Sequence, residues 1–600
     1  MLSNFRLRFR SAHDPLSITL TLAGTLFFAF IMVRLVSVCQ ACLNPPDAYY
    51  VSWLMFSLIL LSPVAYLVAL LHKRSIRYPS KLIQSRGSRS LLFVVAMGLV
   101  ASLSIVRFIL ESTPQGSDTP NYLYVSNLVL EKGALPVVIG DGRELTFLLL
   151  VVLRLLTEQV LHQPFQVSMM IFPVLLSNVI ALATFQFVRT LSKDFELAVA
   201  SMAFSGFSFF LIRMSYDLFA QMLGISLMLL LFSFAIKLMT GGLTRRSLTL
   251  VAILSAMLIL AHAYTWILGM IILTFYVLTS RLEGKGIKMK ALLATLLPGL
   301  AYFGMVRLAS GSLQALLPAQ WYERTLATPS VVQGILFPFQ TGSFLPLDFS
   351  FLSSTTVGFE NPLILTAAAI GAFALLRPNS EQPLPRLLFS WTASLGVLLL
   401  FGFSQQYRLI ILLPIGILAG YAVTKISRLD VDMTGRLSRI LSATGLTRRA
   451  SGRAVIMLIL ICVCFAFSVP RAFAPQYVYY PSNQGIQQLL LARDLFGFGN
   501  PRILILVEDP GFVQNSFQWA RAITGANVYE GSVNDLVAGK PFLLAGVVPV
   551  QPNLRTVDII VIPPALYAVG SVDTGVFRNE NGLYVTTPAV LMSSIAAQGN

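Results

Sequence analysis

The sequence predicts an α-helical polytopic membrane protein with a small external α/β domain at its C-terminus. Of the 600 residues, 56% are hydrophobic and only 12% are charged, which leaves too little polar surface for a soluble globule. Apolar runs of about 17 to 25 residues recur along the chain, the length that a helix needs to cross the hydrocarbon core. From Gln476 onward the pattern changes to short helices and strands, as in a soluble domain.

The first two apolar runs, residues 17–38 and 51–71, predict a pair of membrane spans. The basic stretch NFRLRFR precedes the first run, which is too long for a secretory signal, so we expect the N-terminus on the cytoplasmic side. The second run leads to HKRSIRYPSKLIQSRGSR, which contains no acidic residue. Because cytoplasmic loops are rich in lysine and arginine, residues 1–90 are predicted to form two helices and a basic cytoplasmic loop.

The segment RELTFLLLVVLRLLTEQVLHQ decides the side of every later loop. Its residues Arg154, Glu158 and His162 recur every four positions and form one polar stripe, which is typical of a helix lying flat in the interface. If this helix does not span, the later basic loops fall inside; if it spans, they move outside, against the usual bias. We therefore predict about 13 spans. The net charge of +17 is then explained by cytoplasmic loops, and we expect a lipid bilayer rather than nucleic acid as its partner.

The remaining apolar runs predict a membrane core over residues 91–473, with external loops at 111–167 and 311–361. The predicted spans of this core are residues 91–110, 168–191, 197–214, 219–239, 248–263, 266–279, 291–309, 362–376, 387–403, 409–426 and 455–469. Residues 474–600 then form an external soluble α/β domain. In that domain RILILVED and VDIIVIPP read as buried strands, and GIQQLLLARDLF and NSFQWARAI as helices. It contains neither a glycine-rich phosphate loop nor a metal-ligand spacing, so we assign it at most a capping or acceptor-presenting role.

Asp118, in the stretch QGSDTPNYLY of the first external loop, is the main catalytic candidate. It can simply cap a short helix that has proline in its first turn. Alternatively, an ionised aspartate at the membrane surface can take a proton from an attacking hydroxyl as a general base. The electrophile would then arrive from the membrane.

Positive charge is scarce on the predicted outer face, and Arg408 is the residue there that suits a lipid phosphate. Its alternative role is to snorkel to the interface. His262, in LILAHAYTW, either donates to a phosphate oxygen or makes a hydrogen bond at a helix end. Substrate contacts are expected from outer-face residues that can pair with hydroxyls or stack on a sugar, although each also has an ordinary capping or interfacial role. These residues are Asp217, Tyr122, Trp321, Tyr322, Glu323 and Arg324.

The order of these segments resembles the membrane glycosyltransferases of superfamily C. The similarity rests on NYLYVSNLVLEKGALP after the loop aspartate, the interfacial helix, RMSYDLFAQMLG, HAYTW and QYRLIILLPIGILAG, over about residues 91–471. These enzymes take sugars from polyprenyl-phosphate donors on the external side and invert the anomeric centre. The resemblance implies such a donor, a glycan, lipid or protein acceptor, Asp118 as the base and Arg408 at the donor phosphate.

The first loop departs from the family in one respect. Members commonly carry paired acids there, whereas Thr119 and Pro120 follow Asp118 in this chain. One carboxylate makes a poor divalent-cation site, so no metal site is predicted.

Two other functions fit the same composition. A transporter or flippase of lipid-linked sugars needs polar residues at mid-membrane depth, and Asn178 and Gln186 are its candidates. A non-catalytic scaffold that carries the external domain is the third interpretation. The polar residues concentrate on one face, which favours one-sided chemistry in a multi-pass plasma-membrane enzyme.

Overall fold

The structure covers most of the predicted membrane core and much of the C-terminal domain. The computed structural model describes residues 86–110, 114, 119–133, 142–241, 244–279, 285–313, 360–375, 382–400, 406–427, 452–472, 483–507, 516–530, 533, 542–544, 548–550, 556–567 and 576–598. The first two predicted spans, Asp118 and residues 321–324 lie outside the described residues.

Along the described residues, the apolar runs form helices whose ends lie within a few residues of the predicted ones. An apolar run becomes a helix because only a helix satisfies its backbone groups within the segment. The helices before residue 320 are α1 (Arg86–Leu110), α2 (Thr119–Lys132), α3 (Glu144–Arg154), α4 (Phe165–Ser192), α5 (Phe195–Phe207), α6 (Phe209–Asp217), α7 (Phe219–Gly241), α8 (Arg245–Ala261), α9 (Ala263–Thr279) and α10 (Lys285–Leu313). The later helices of the core are α11 (Pro362–Leu375), α12 (Pro383–Leu400), α13 (Gln406–Ile411), α14 (Ile415–Ser427) and α15 (Gly452–Ala472).

Within the described part of the chain, two helices are long and apolar enough to cross a membrane by themselves. They are Phe165–Ser192 and Phe219–Thr240. The consecutive helices α5 and α6, bent by 52°, make a third if they form one span. Shorter apolar helices occur in α1, α9, α11, α13–α14 and α15. The helical membrane core is therefore confirmed, and the count of about 13 spans stays a prediction.

Two segments that the sequence predicts as single spans are interrupted. The segment 197–214 breaks at Ser208, between α5 and α6. The segment 409–426 breaks before Pro414, between α13 and α14. At the second break the indole N–H of Trp391 donates to the carbonyl oxygen of Leu412 at 2.9 Å, which satisfies a backbone group that the interruption frees.

Helix α14 packs closely against α5 and α11. A Cβ atom added to Gly420 would lie 2.4 Å from the hydroxyl oxygen of Ser201, and one added to Gly416 would lie 2.5 Å from the backbone nitrogen of Ser205. The four residues therefore form a contact of small side chains, four positions apart on each helix. Such contacts let helix backbones approach within a membrane, where there is little hydrophobic force to join them.

The C-terminal domain contains a mixed sheet flanked by helices. Its strands are β1 (Ile503–Val507), β2 (Asn527–Glu530), β3 (Phe542–Leu544), β4 (Val548–Val550), β5 (Ile559–Ile562), β6 (Arg578–Glu580) and β7 (Leu583–Thr586), and its helices are α16 (Asn483–Phe496), α17 (Ser516–Thr524) and α18 (Pro588–Gln598). The main sheet has the order β2-β1-β5-β7-β6, with β1 parallel to β2 and β5, while β3 and β4 form a separate hairpin. Both predicted strands, β1 and β5, lie at the buried centre, which confirms the α/β assignment.

The C-terminal domain packs against α2, the helix that begins one residue after Asp118. Arg493 forms an ion pair with Glu131 near the end of α2, and the guanidinium of Arg521 lies 5.1 Å from the ring centre of Tyr124. A small apolar cluster of Leu128 and Phe498, with Tyr124 against it, lies between them. The first predicted external loop and the C-terminal domain are therefore in direct contact.

Candidate active site

Tyr122 joins the first turn of α2 to the first turn of α7. Its hydroxyl accepts a hydrogen bond from the backbone nitrogen of Ala220 at 2.9 Å, one of the helix-end donors that lack a partner within α7. Its ring packs against Phe219 and Phe147, with ring centres 4.9 and 5.4 Å apart. In the sequence, α2 begins one residue after Asp118 and α7 begins two residues after Asp217, so this contact joins the helices that follow these two acids.

Arg143 lies beside this contact. Its guanidinium carbon is 5.8 Å from the ring centre of Tyr122 and 5.7 Å from that of Phe147. Stacking on aromatic rings holds a guanidinium in place while its charge is retained. The half-buried Arg143 therefore adds a fixed positive charge next to the start of α2.

The start of α3 is tied to the turn between α8 and α9. Gly142, with a φ of +72°, accepts a hydrogen bond from the backbone nitrogen of Ala263 at 2.9 Å. The buried carboxylate of Glu144 accepts a hydrogen bond from the hydroxyl of Tyr302 in α10. The hydroxyl of Thr146 donates to the carbonyl oxygen of Ala261 at 3.0 Å. These bonds bring Arg143 and His262 into one region, which we call the Tyr122 site: Tyr122, Arg143, Glu144, His262 and Tyr302.

His262 is buried at the end of α8 and caps the start of α9. Its ring nitrogen Nδ1 lies 3.3 Å from the backbone nitrogen of Thr265 and 2.6 Å from the hydroxyl of the same residue. A backbone N–H can only donate, so Nδ1 is the acceptor in that bond and the proton of the neutral ring is on Nε2. His262 therefore makes the hydrogen bond at a helix end that the sequence offered as one of its two roles. The tautomer with its proton on Nε2 is also the one that can donate to a phosphate oxygen.

Arg154 forms a buried polar hub between α3 and α2. Its guanidinium donates to the hydroxyl of Ser126 at 2.6 Å and to the side-chain oxygen of Asn127 at 2.8 Å. It also pairs with the carboxylate of Glu158, at 2.6 and 3.1 Å. The helix changes to a π-helix over Leu155–Val160, and His162 lies beyond its end with a φ of +52°. The predicted stripe therefore holds for the first two residues and not for His162.

The polar stripe faces the protein rather than water. Arg154 is only 2% exposed, whereas the opposite side of the same segment is apolar and exposed. The exposed residues are Leu148, Leu149, Val152, Leu156 and Val160. Such a face suits hydrocarbon rather than water. The choice between lying in the interface and spanning stays a prediction.

A second buried carboxylate, Glu360, organises the break between α5 and α6. Its oxygens accept hydrogen bonds from the hydroxyl of Ser208 at 2.7 Å and from the backbone nitrogens of Phe209 and Asn361 at 3.0 Å each. The side-chain amide of Asn361 donates in turn to the hydroxyl of Ser468 at 2.8 Å. Glu360 thus caps α6, the short helix that ends at Asp217.

The structure places the other predicted residues as follows. Arg408 lies in α13 and Asp217 is the last residue of α6; the described residues give their backbone position only. Asp118 and the loop residues Trp321, Tyr322, Glu323 and Arg324 lie outside the described residues.

Tyr122 needs a correction. It is predicted as a substrate contact, yet its ring is only 1% exposed and its hydroxyl is bonded to Ala220. A ring without an accessible face cannot stack on a sugar, so Tyr122 positions helices instead.

Sequence reasoning missed Arg143, Glu144 and Glu360. Arg143 and Glu144 open the predicted interfacial helix, and GDGRE gave a usable signal, a glycine-rich turn directly before two charges. Glu360 is an isolated acid before an apolar run, with nothing nearby in sequence to indicate its partners.

The described residues contain no group of three or more histidine, cysteine, aspartate or glutamate side chains that could hold a metal ion. They also bear on the transport alternative. The side-chain amide of Asn178 donates to the carbonyl oxygen of Val174 at 2.8 Å and to the hydroxyl of Ser104 at 3.4 Å. Asn178 therefore bonds within α4 and across to α1, the ordinary role of an isolated polar residue between membrane helices.

No protein-family model and no curated protein sequence matches the chain. Among solved structures, the chain is similar to ArnT from Cupriavidus metallidurans bound to undecaprenyl phosphate, with a TM-score of 0.50 and 13% identity over 84% of this chain and 98% of ArnT. The archaeal oligosaccharyltransferase AglB from Archaeoglobus fulgidus gives a TM-score of 0.48 at 12% identity, over 79% of this chain and 69% of AglB. The arabinofuranosyltransferase AftD from Mycobacteria gives 0.46 at 15% identity, over 87% of this chain and 37% of AftD.

The likeness to ArnT is a likeness of fold. It covers nearly all of ArnT and most of this chain. The protein therefore shares its fold with ArnT.

Proposed function

We propose that the protein is a membrane glycosyltransferase that moves a sugar from a polyprenyl-phosphate donor to an acceptor hydroxyl on the external face. The observation that carries this proposal is the hydrogen bond from the Ala220 nitrogen to the Tyr122 hydroxyl. It joins the helix after Asp118 to the helix after Asp217, beside Arg143 and His262. The proposal brings the acidic groups of these segments together with positive or hydrogen-donating groups, as acid–base chemistry on a phosphate ester needs.

In the proposed reaction, Asp118 removes the proton from the acceptor hydroxyl as its oxygen attacks the anomeric carbon. The bond from this carbon to the phosphate oxygen breaks on the opposite side, so the configuration inverts and polyprenyl phosphate leaves. Arg408 and the Nε2–H of His262 bind the phosphate and neutralise the charge that develops on it. Asp217 and the loop residues 321–324 contact the sugar.

Arg143 is added to the residues proposed to bind the donor phosphate. Two aromatic rings hold its charge near the start of α2, where it would attract an anionic group. The solved ArnT structure contains undecaprenyl phosphate, a ligand of the class that the proposal requires.

The proposal includes an orientation. About 13 spans place the N-terminus inside, with residues 1–90 as the N-terminal pair and cytoplasmic loop, 91–473 as the transferase core and 474–600 as an external domain at the plasma membrane. The contact between α2 and the C-terminal domain supports a common side for the first loop and this domain.

The class of reaction can be tested on purified protein in nanodiscs. The protein is incubated with a panel of hexosyl and pentosyl polyprenyl phosphates and a cell-envelope acceptor fraction, and the lipids are followed by mass spectrometry. We expect one donor to be consumed, with polyprenyl phosphate released in equal amount to glycosylated acceptor, and an inverted anomeric configuration by NMR. Return of every donor intact, or retention of configuration, would contradict the proposal. Nanodiscs without protein are the control.

A further inference from the structure

Helix α2 is held by both the helical core and the C-terminal domain, and one series of hydrogen bonds connects the two. On the core side, the Arg154 guanidinium bonds to the neighbouring side chains of Ser126 and Asn127. On the other side, the amide nitrogen of Asn127 donates to the carbonyl oxygen of Ala522 at 2.8 Å. A single asparagine, only 1% exposed, thus uses its oxygen toward the core and its nitrogen toward the C-terminal domain.

The acceptor in the C-terminal domain is a helix-end carbonyl. Ala522 lies in the last turn of α17, which ends at Thr524, so its carbonyl oxygen has no partner within that helix. Asn127 supplies the missing donor. Because buried backbone groups need partners, this bond fixes the position of α17 relative to α2.

At the core end of this series of hydrogen bonds, Arg154 is equally constrained. Arg154 uses three nitrogens, and its other partner, Glu158, lies four residues further along the same helical segment. A guanidinium presents a planar set of donors, so these bonds set both its place and its orientation. A lysine retains the charge but has one nitrogen, which cannot reach Ser126, Asn127 and Glu158 in the same geometry.

We infer that Arg154 is a positioning residue which, through Asn127, couples the docking of the C-terminal domain to the place of α2. The inference rests on the proposed function in one respect: α2 begins directly after Asp118, so a displaced α2 would displace the proposed base. The C-terminal domain then acts as one side of a clamp on α2.

The test uses the full-length protein in nanodiscs with the substitutions Asn127→Ala, Arg154→Met and Arg154→Lys. The matched control is Arg502→Met, which removes an arginine of the same domain from its exposed ion pair with Asp558. The first readout is hydrogen exchange of the backbone amides of α2 and α17, which needs no activity. The second readout is the separate measurement of kcat and KM for the donor, with kcat expressed per folded molecule.

We expect the α2 and α17 amides to exchange about 10-fold faster in Asn127→Ala and Arg154→Met, because each variant loses a buried hydrogen bond to a charged or helix-end group. The amides of α14, which packs against α5 and α11, should stay protected. We expect kcat to fall by about 10- to 100-fold with little change in KM, since a base displaced by about an ångström loses much of its effect. The amide exchange rates and the kcat of Arg154→Lys should lie between those of the wild type and Arg154→Met.

The inference is overturned if α2 exchanges as in the wild type in both Asn127→Ala and Arg154→Met, or if kcat per folded molecule is unchanged in both. If Arg154→Met does not fold, Asn127→Ala decides alone, because it leaves the pair between Arg154 and Glu158 intact. If the wild-type protein transfers no sugar, the proposed function fails, and the exchange measurement still supports or overturns the coupling.

Discussion

The Asp118→Asn protein is expected to bind the donor lipid and transfer no measurable sugar. Asparagine keeps the shape of the side chain but cannot take a proton from the acceptor hydroxyl, and general base catalysis contributes roughly 10² to 10⁴ in rate. The loss of a negative charge does not weaken the binding of a phosphate, so donor affinity is maintained. Turnover and polyprenyl-phosphate binding are measured on the same preparation.

The control for this prediction is Asp558→Asn, which changes an exposed carboxylate of the C-terminal domain far along the chain from the site. Its turnover should equal that of the wild type. Normal turnover by Asp118→Asn would remove Asp118 from the mechanism and return it to the role of a helix cap before Thr119 and Pro120.

Glu360→Ala is expected to have the largest effect on stability. It leaves the hydroxyl of Ser208 and the backbone nitrogens of Phe209 and Asn361 without their buried acceptor. Each buried donor that loses its partner costs about 1 to 3 kcal/mol. We therefore expect a large drop in the thermal midpoint in detergent, or loss of monodisperse protein, measured by fluorescence-detected size exclusion after heating.

The chain offers a matched control for Glu360. Asp194 also caps a core helix, since its carboxylate accepts from the backbone nitrogens of Glu196 and Leu197 at 3.1 and 3.2 Å, but it is only partly buried. Asp194→Ala should cost about 1 kcal/mol, the usual value for an accessible cap. Equal midpoints for the two variants would show that Glu360 is not the organising group of the break. The thermal midpoint of Glu360→Gln, which keeps one acceptor oxygen, should lie between those of Glu360→Ala and the wild type.

The apolar runs allowed the helices to be predicted because the signal is local: once water is excluded, a run of this composition has no other way to satisfy its backbone. The strands β1 and β5 could be predicted for a related reason, since an unbroken apolar run is typical of strands buried on both faces. Both kinds of element depend on neighbours in sequence. Their packing partners matter little for their existence.

The breaks within two predicted spans depend on distant residues to different degrees. Pro414 was a visible signal for the second break, because proline cannot continue a helix from the preceding turn. The first break at Ser208 is organised by Glu360, 152 positions away in the chain. No local pattern distinguishes such a capped break from a continuous apolar helix. The sequence therefore predicts residues 197–214 as one span.

The polar stripe shows the same limit at the candidate site. Its first two members, Arg154 and Glu158, were recognised as lying on one side of an apolar helix, but periodicity does not tell which side faces the protein. The partners of Arg154, namely Ser126 and Asn127, lie about 27 positions earlier in the chain. Only the packing of α2 onto this helix turns a stripe expected at the water surface into a buried hub.

Direct binding of undecaprenyl phosphate to the purified protein in nanodiscs tests the central claim, because the phosphate and lipid are common to every donor of the proposed class. The wild type is compared with Arg408→Ala, with Arg502→Ala as the control arginine and undecaprenol as the lipid without phosphate. We expect the wild type and Arg502→Ala to bind alike, Arg408→Ala to bind about 10- to 100-fold more weakly, and undecaprenol to compete poorly, since a charged hydrogen bond is lost in each case. Failure of the wild type to bind undecaprenyl phosphate would contradict the proposed function, and equal binding by Arg408→Ala would remove Arg408 from the donor site.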